Sequence, residues 1–142
     1  FRTYLMFLGP FEEGGDFRDS GISGVKRFLD RLWIAVRDRD ESAAPDAEVM
    51  RKLHATIKKV GEDVPALSYN TAIAAMMEYM NVLRKGERVP ARAEVEPLVQ
   101  MVSPFAPHVA EELWSMLGHS GSVFDARWPK FDPALLVSDE IE

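Results

Sequence analysis

The chain has 142 residues, 46% hydrophobic and 28% charged, which is the composition of one ordinary globular domain. It has no cysteine, which excludes disulfide bonds and thiolate metal sites and fits a cytoplasmic setting, and no apolar run approaches the ~18 residues of a membrane-spanning helix. The net charge of −6 argues against a uniformly basic protein, yet residues 26–92 hold 13 Lys and Arg against 10 Asp and Glu, so a basic face is available.

The first 20 residues predict a short helical lead-in and a surface loop. We expect the lead-in helix to end at Gly9-Pro10, because this pair stops a helix. Residues 10–20 are acidic and rich in turn-forming residues. Residue 1 is Phe within what reads as an element already under way, and the last residues are acidic. We therefore expect a piece of a longer protein.

Three helices follow, each marked by apolar residues at helical spacing. The first is capped by Asp19 or Ser20, and its apolar face is Ile22, Val25, Leu29, Leu32, Trp33 and Val36. The second starts at Pro45-Asp46, closes over residues 61–65 and carries Met50, Leu53, Ile57 and Val60. The third starts near Ser68 or Asn70, is kept slim by its alanines, and carries Ile73, Met76, Met77, Met80 and Leu83.

A last helical region is interrupted by prolines. Its first part carries Val95, Leu98, Val99 and Val102, and Pro104 and Pro107 require a kink or restart. We expect Ser103 to cap the restarted helix and Glu111 and Glu112 to lie near its positive end. Beyond Gly118 the helical period is lost, and we expect Trp128 to pin an irregular tail onto the helices. The fold class is all-α, a bundle of four to five helices with an irregular C-terminal tail.

No catalytic or metal site is predicted. The three histidines, His54, His108 and His119, lack the spacing of metal ligands, and we expect His108 to be a capping or packing group. The glycine-containing strings match neither a dinucleotide-binding nor a phosphate-binding loop. The paired acids Glu12/Glu13 and Glu111/Glu112 are interpreted as solvated charge. We therefore expect no cofactor within these residues.

Two clusters of basic residues are the candidate binding surfaces. The first surrounds the loop at Gly86 and holds Arg84, Lys85, Arg88 and Arg92 against Glu87 alone. The second lies opposite the apolar stripe of the second long helix and consists of Arg51, Lys52, Lys58 and Lys59. Taken alone, each cluster also fits an ordinary solvated face.

Four sequence blocks resemble one family. The block Pro104-Phe105-Ala106-Pro107-His108, running on to Trp114, resembles the last helix of the anticodon-binding bundle of class Ia aminoacyl-tRNA synthetases. Residues 5–10, 21–33 and 126–132 (Leu-Met-Phe-Leu-Gly-Pro, Gly-Ile-x-Gly-Val-x-Arg-Phe-Leu-x-Arg-Leu-Trp and Ala-Arg-Trp-Pro-x-Phe-Asp) resemble the leucyl enzymes in particular. The first block alone would also suit valyl or isoleucyl relatives.

The resemblance implies a class Ia synthetase anticodon-binding helical bundle over residues 21–118. Residues 1–20 would follow a catalytic core, and residues 119–142 would lead to a C-terminal domain. The parent enzyme would attach leucine to its tRNA with ATP and magnesium bound outside these residues, as a cytoplasmic monomer. Its partners would be leucine tRNA and the other domains of the same chain. The tRNA would bind through the two basic clusters, and their choice as tRNA contacts rests on the clustering of charge alone.

Two alternatives belong to other classes of function. A helical module that binds a protein would be indifferent to tRNA, but it leaves the four ordered blocks unexplained. A ligand-binding four-helix bundle would need polar residues on its inner stripes. Those stripes consist of Leu, Ile, Val, Met and Trp instead.

Overall fold

The computed structural model describes residues 2–7 and 19–136. The predicted helix end at Gly9-Pro10, the acidic loop at residues 10–18 and the acidic segment at residues 138–142 lie outside the described residues. The helices are α1 (Arg2–Phe7), α2 (Asp19–Arg37), α3 (Ala47–Asp63), α4 (Tyr69–Leu83), α5 (Arg92–Val102) and α6 (Pro107–Met116).

The described ranges confirm an all-α bundle. Helices α2 to α6 are the predicted bundle, and α1 is the lead-in. Short 3-10 turns, Lys85–Glu87 and Val123–Asp125, follow α4 and α6. Within the described residues, extended backbone pairs only at an isolated bridge between Asp40 and Ala91.

Helix α4 is the centre of the bundle. Its 15 residues include one charged side chain, Glu78, and it packs against α1, α2 and most extensively α3. A helix that is apolar almost all round must be covered on most of its surface. Its buried residues are Ala72, Ile73, Met76, Tyr79, Met80 and Leu83, in agreement with the predicted stripe except that Met77 is only partly buried.

The buried face of α2 is rotated from the predicted one. Phe28 is buried, whereas Leu29 and Trp33 are only partly covered by the core. Val25, Leu32, Ala35 and Val36 complete the buried face. Phe28 and Ala35 extend the buried face on the side of Leu32, and the rotation leaves Leu29 and Trp33 at the opposite border.

The predicted proline break separates α5 from α6. Phe105 lies buried at this corner with its ring edge-on to Tyr69, at 6.0 Å between centroids, and its carbonyl accepts a 2.9 Å hydrogen bond from the Thr3 hydroxyl of α1. Pro107 occupies the opening of α6, as predicted.

Three expectations about the start of α6 are wrong. Ser103 donates to the Gln100 carbonyl at the end of α5 and does not cap α6, whose N-cap residue is Ala106. The first turn of α6 holds no acid, because the helix begins late enough to place Glu111 in its second turn. His108 is exposed, so it is a surface residue and not a buried packing group.

Candidate nucleic-acid interface

The turn after α4 presents two unpaired cations. Helix α4 ends at Leu83, and Gly86 has a φ of 74°, a left-handed conformation that reverses the chain at little cost only in glycine. Arg84 and Lys85 precede it with exposed side chains. Neither has an ion-pair partner among the residues that the structure describes.

The next arginine is bound inside the fold. Glu94 is fully buried, and its carboxylate accepts hydrogen bonds from the backbone nitrogens of Ala91 (2.7 Å) and Asp46 (2.9 Å). Arg88 donates to the same carboxylate at 2.9 Å, and this bond supplies the countercharge that a buried acid requires. Glu94 therefore joins the loop before α5 to the start of α3.

Arg92 belongs to a second, more exposed network. It contacts Glu41 at 3.2 Å and Glu96 at 3.4 Å, and Arg39 contacts Glu41 at 2.7 Å. Glu96 is also hydrogen-bonded to His119, whose ring stacks on Trp114 with centroids 3.8 Å apart. The network connects the loop after α2 to α5 and to the end of α6.

The structure thus divides the first predicted cluster. Arg84 and Lys85 have no ion-pair partner among the side chains that the structure describes, whereas Arg88 is paired with Glu94 and Arg92 with Glu41 and Glu96. Glu94 and Glu41 were not recognised as partners, because the chain separates Glu41 from Arg92 by 51 positions. The capping spacing of Glu94 to Ala91 was the available signal for the buried acid.

The second predicted cluster is divided into two rows along α3. Lys52 and Lys59 face α4, where Lys52 lies 3.5 Å from Glu78 and Lys59 lies 3.2 Å from Asp63. They border a shallow groove of about 350 Å³ whose remaining lining is mainly alanine and threonine, Ala55, Thr56, Thr71, Ala74 and Ala75. The Lys52–Glu78 pair is exposed and therefore weak, so a phosphate can replace the Glu78 carboxylate. Asp63 is buried and also accepts a hydrogen bond from the Thr71 hydroxyl at 2.7 Å, so it holds Lys59 more firmly.

Arg51 and Lys58 form the other row and face away from α4. Lys58 is exposed, Arg51 is half-buried, and neither has an ion-pair partner in the described part of the chain. Lys58 lines a second groove, between α3 and the tail, together with Trp128 and Lys130. Lys130 and the exposed Arg127 are basic residues that the charge clusters did not include.

The tail is fastened to the bundle at several points. Glu111 of α6 accepts hydrogen bonds from the Ser122 hydroxyl and, at 3.4 Å, from the Val123 nitrogen, so it is not simply solvated as expected. Gln100 donates to the Arg127 carbonyl (2.7 Å). The Asp132 nitrogen donates to His54 Nδ1 (2.8 Å).

Trp128 lies between the last two fastenings. It shares a groove with Gly61 and other residues of α3, and a Cβ built at Gly61 would be 4.0 Å from its indole nitrogen, so one edge of the ring lies against α3 as expected while the rest stays exposed. In residues 2–7 and 19–136, no group of His, Asp and Glu side chains is arranged to hold a metal ion. In the same residues, no helix combines the length and hydropathy of a membrane span.

Comparison with known proteins shows which family this chain is similar to. A family model described as the anticodon-binding domain of tRNA ligase matches residues 46–142. Leucine–tRNA ligases of Herpetosiphon aurantiacus and Chloroherpeton thalassium are each 44% identical to the chain over 99% of its length. The chain spans 18% of the length of each of these relatives.

A solved structure is similar to this chain as well. The fold superimposes on a LeuRS of Agrobacterium radiobacter, crystallised as a ternary complex with tRNA and LeuAMS, with a TM-score of 0.78 and 30% identity. The match covers 95% of this chain and 20% of that one.

Proposed function

The chain belongs to the family of anticodon-binding domains of tRNA ligases, and from that premise we propose that it docks leucine tRNA onto a leucine–tRNA ligase. The similarity to two leucine–tRNA ligases over 99% of the chain supports the leucyl enzyme over the valyl and isoleucyl alternatives. Attachment of leucine, with ATP and magnesium, is assigned to the rest of the ligase. The bundle contributes contacts that hold the tRNA on the ligase.

The observation that carries this proposal is the pair of unpaired cations at the turn after α4. Arg84 and Lys85 are exposed on a short turn, ahead of the buried carboxylate of Glu94 that holds the following segment. Unpaired Arg and Lys side chains contact phosphates without first giving up a protein partner. Contacts of this kind position an RNA without reading its sequence.

The α3 cations form the second part of the proposed surface. Lys52 and Lys59 border the groove between α3 and α4, and Arg51 and Lys58 lie on the adjacent row. Because Glu78 and Asp63 compete for the two groove lysines, we rank these residues after Arg84 and Lys85. Arg92, whose partner Glu41 is half exposed, ranks with the groove lysines, and Arg88 ranks last because its partner Glu94 is fully buried.

The test is a double charge reversal, Arg84→Glu with Lys85→Glu, in the full-length ligase. The KM for tRNA should rise about tenfold or more, and the slope of log affinity against log salt should fall by about 2, since two phosphate contacts are lost. Leucine–ATP exchange, which needs no tRNA, should be unchanged.

The matched control is Lys26→Glu with Arg27→Glu, an adjacent exposed pair on α2 that changes the net charge equally. This control should leave the KM for tRNA near the wild-type value. Equal effects of the two double variants would mean that overall charge, and not the turn after α4, governs tRNA binding. Unchanged tRNA kinetics in Arg84→Glu with Lys85→Glu would remove the turn from the interface.

A further inference from the structure

The groove between α3 and the tail leaves aromatic surface exposed, although the tail is hydrogen-bonded to the bundle on both sides of it. It has a volume of about 390 Å³, within the range of small-ligand sites, and Gly61 forms part of its wall. Trp128 and Phe131 line it, and each remains 39% exposed. The hydrogen bonds to the Arg127 carbonyl and the Asp132 nitrogen lie on either side of these rings. The two rings are therefore exposed even though the segment that carries them is hydrogen-bonded to the bundle on both sides.

The charges around the groove are mainly positive. Lys58 comes from α3 and Lys130 from the tail, both exposed and without an ion-pair partner among the described residues. Arg127, also exposed, precedes Trp128 directly. Glu62 is the single acid among the described lining residues. A ligand that fits must present an apolar planar face together with negative charge.

We propose that this groove binds one unpaired nucleotide of the tRNA, with its base stacked on Trp128 and its phosphate near Lys58 and Lys130. The inference rests on the proposed function, because it assumes that tRNA lies on the bundle. Proteins bind single-stranded nucleic acid by this combination of aromatic platforms and cations. The Glu62 carboxylate, which lines the same groove, can accept hydrogen bonds from the edge of the base.

The side chain of Trp128 is tested by two replacements in the full-length ligase. Trp128→Leu keeps an apolar group against Gly61 but removes the ring, whereas Trp128→Phe keeps a ring that can stack. Trp128→Leu should weaken tRNA binding about tenfold or more, and Trp128→Phe should remain close to the wild type. Because stacking releases no counterions, the salt slope of Trp128→Leu should equal that of the wild type.

Two results of this experiment would overturn the site. Wild-type affinity in Trp128→Leu would exclude stacking, and equal losses in Trp128→Leu and Trp128→Phe would show that the indole only packs the tail. A photo-crosslinking amino acid, p-benzoylphenylalanine, at position 128 gives an answer that does not depend on affinity. Crosslinks to tRNA support the site, and crosslinks confined to the polypeptide would assign the groove to a protein segment.

The two proposals fail in different ways. If Arg84→Glu with Lys85→Glu weakens tRNA binding and Trp128→Leu does not, docking stands and the stacking site is rejected. If neither variant changes tRNA binding, the turn and the stacking site are both excluded from the interface. If Lys52→Glu with Lys59→Glu then also leaves tRNA binding unchanged, the proposed function itself fails.

Discussion

The turn at Arg84 and Lys85 and the segment from Arg88 to Glu94 are neighbours in the chain that use the same kind of charge differently. The turn has exposed cations with no ion-pair partner among the described side chains, whereas the segment has a fully buried carboxylate bonded to Arg88 and to two backbone nitrogens. The comparison shows that one buried acid decides which cations of a cluster remain available. The segment from Arg88 to Glu94 therefore supports the turn that exposes Arg84 and Lys85.

The two rows of α3 repeat this division in a milder form. Lys59 lies 3.2 Å from Asp63, whose side chain is 10% exposed, whereas Lys58, the adjacent residue, has no ion-pair partner among the described residues. Adjacent positions on a helix point about 100° apart, so one lysine meets an acid of its own helix and the other meets the tail.

The largest expected effect separates Arg88 from Arg84. Arg88→Gln removes the countercharge of the buried Glu94 carboxylate and should lower the free energy of unfolding by about 2 kcal/mol. Arg84→Gln, the matched change at an exposed position, should change it by less than about 0.5 kcal/mol. Urea unfolding of the 142-residue chain, followed by circular dichroism, measures both. Equal values for the two arginines would erase the contrast between the regions.

The next effect tests the backbone of the turn. Gly86 has a positive φ and no heavy atom within 4 Å of a Cβ placed there, so Gly86→Ala brings backbone strain without a clash. It should destabilise the chain by about 1.5 kcal/mol. Gly24→Ala in α2, also without a neighbour within 4 Å, should stabilise it by roughly 0.5–1 kcal/mol, because the helix there suits alanine. Thermal unfolding of both variants checks the opposite signs, and a stable Gly86→Ala chain would show that the turn relaxes.

The elements of the bundle were predictable because they depend on local patterns. The apolar spacing of α3 and α4, the Asp46 cap and the break at Pro104 each follow from residues within a few positions of one another. The burial of Phe28 was missed, since the border of an apolar face depends on which helices pack against it. The capping role of Ser103 was likewise predicted for the wrong helix, because the sequence did not show that α5 extends to Val102 and takes Ser103 as its last residue's neighbour.

The candidate site was only half predictable for the same reason. Charge clustering located the cations of the turn and of α3 but not Arg127 and Lys130 of the tail. It also missed the acidic partners, because that of Arg92 is 51 positions away and that of Lys52 is on another helix. Sequence spacing carries no information about such pairs. The groove at Trp128 forms only when the tail returns to α3, so its cations, Lys58 and Lys130, never appeared as one cluster.

The smallest effect concerns Tyr79, which ties α4 to the supporting segment. Its buried hydroxyl donates to the Glu94 carbonyl at 2.5 Å, so Tyr79→Phe should cost about 1 kcal/mol at pH 7. Burial raises the pKa of Tyr79 above its ordinary value, and the charge of Glu94 raises this pKa further. Above about pH 10 the unfolded chain loses this proton while the folded chain keeps it, so the wild type should lose stability as the pH rises. The Tyr79→Phe chain lacks this dependence. The difference in the free energy of unfolding between the wild type and Tyr79→Phe, measured by urea unfolding, should therefore become smaller from pH 7 to pH 10.5. A gap that stays constant over this range would mean that Tyr79 ionises as readily in the folded chain as in the unfolded one.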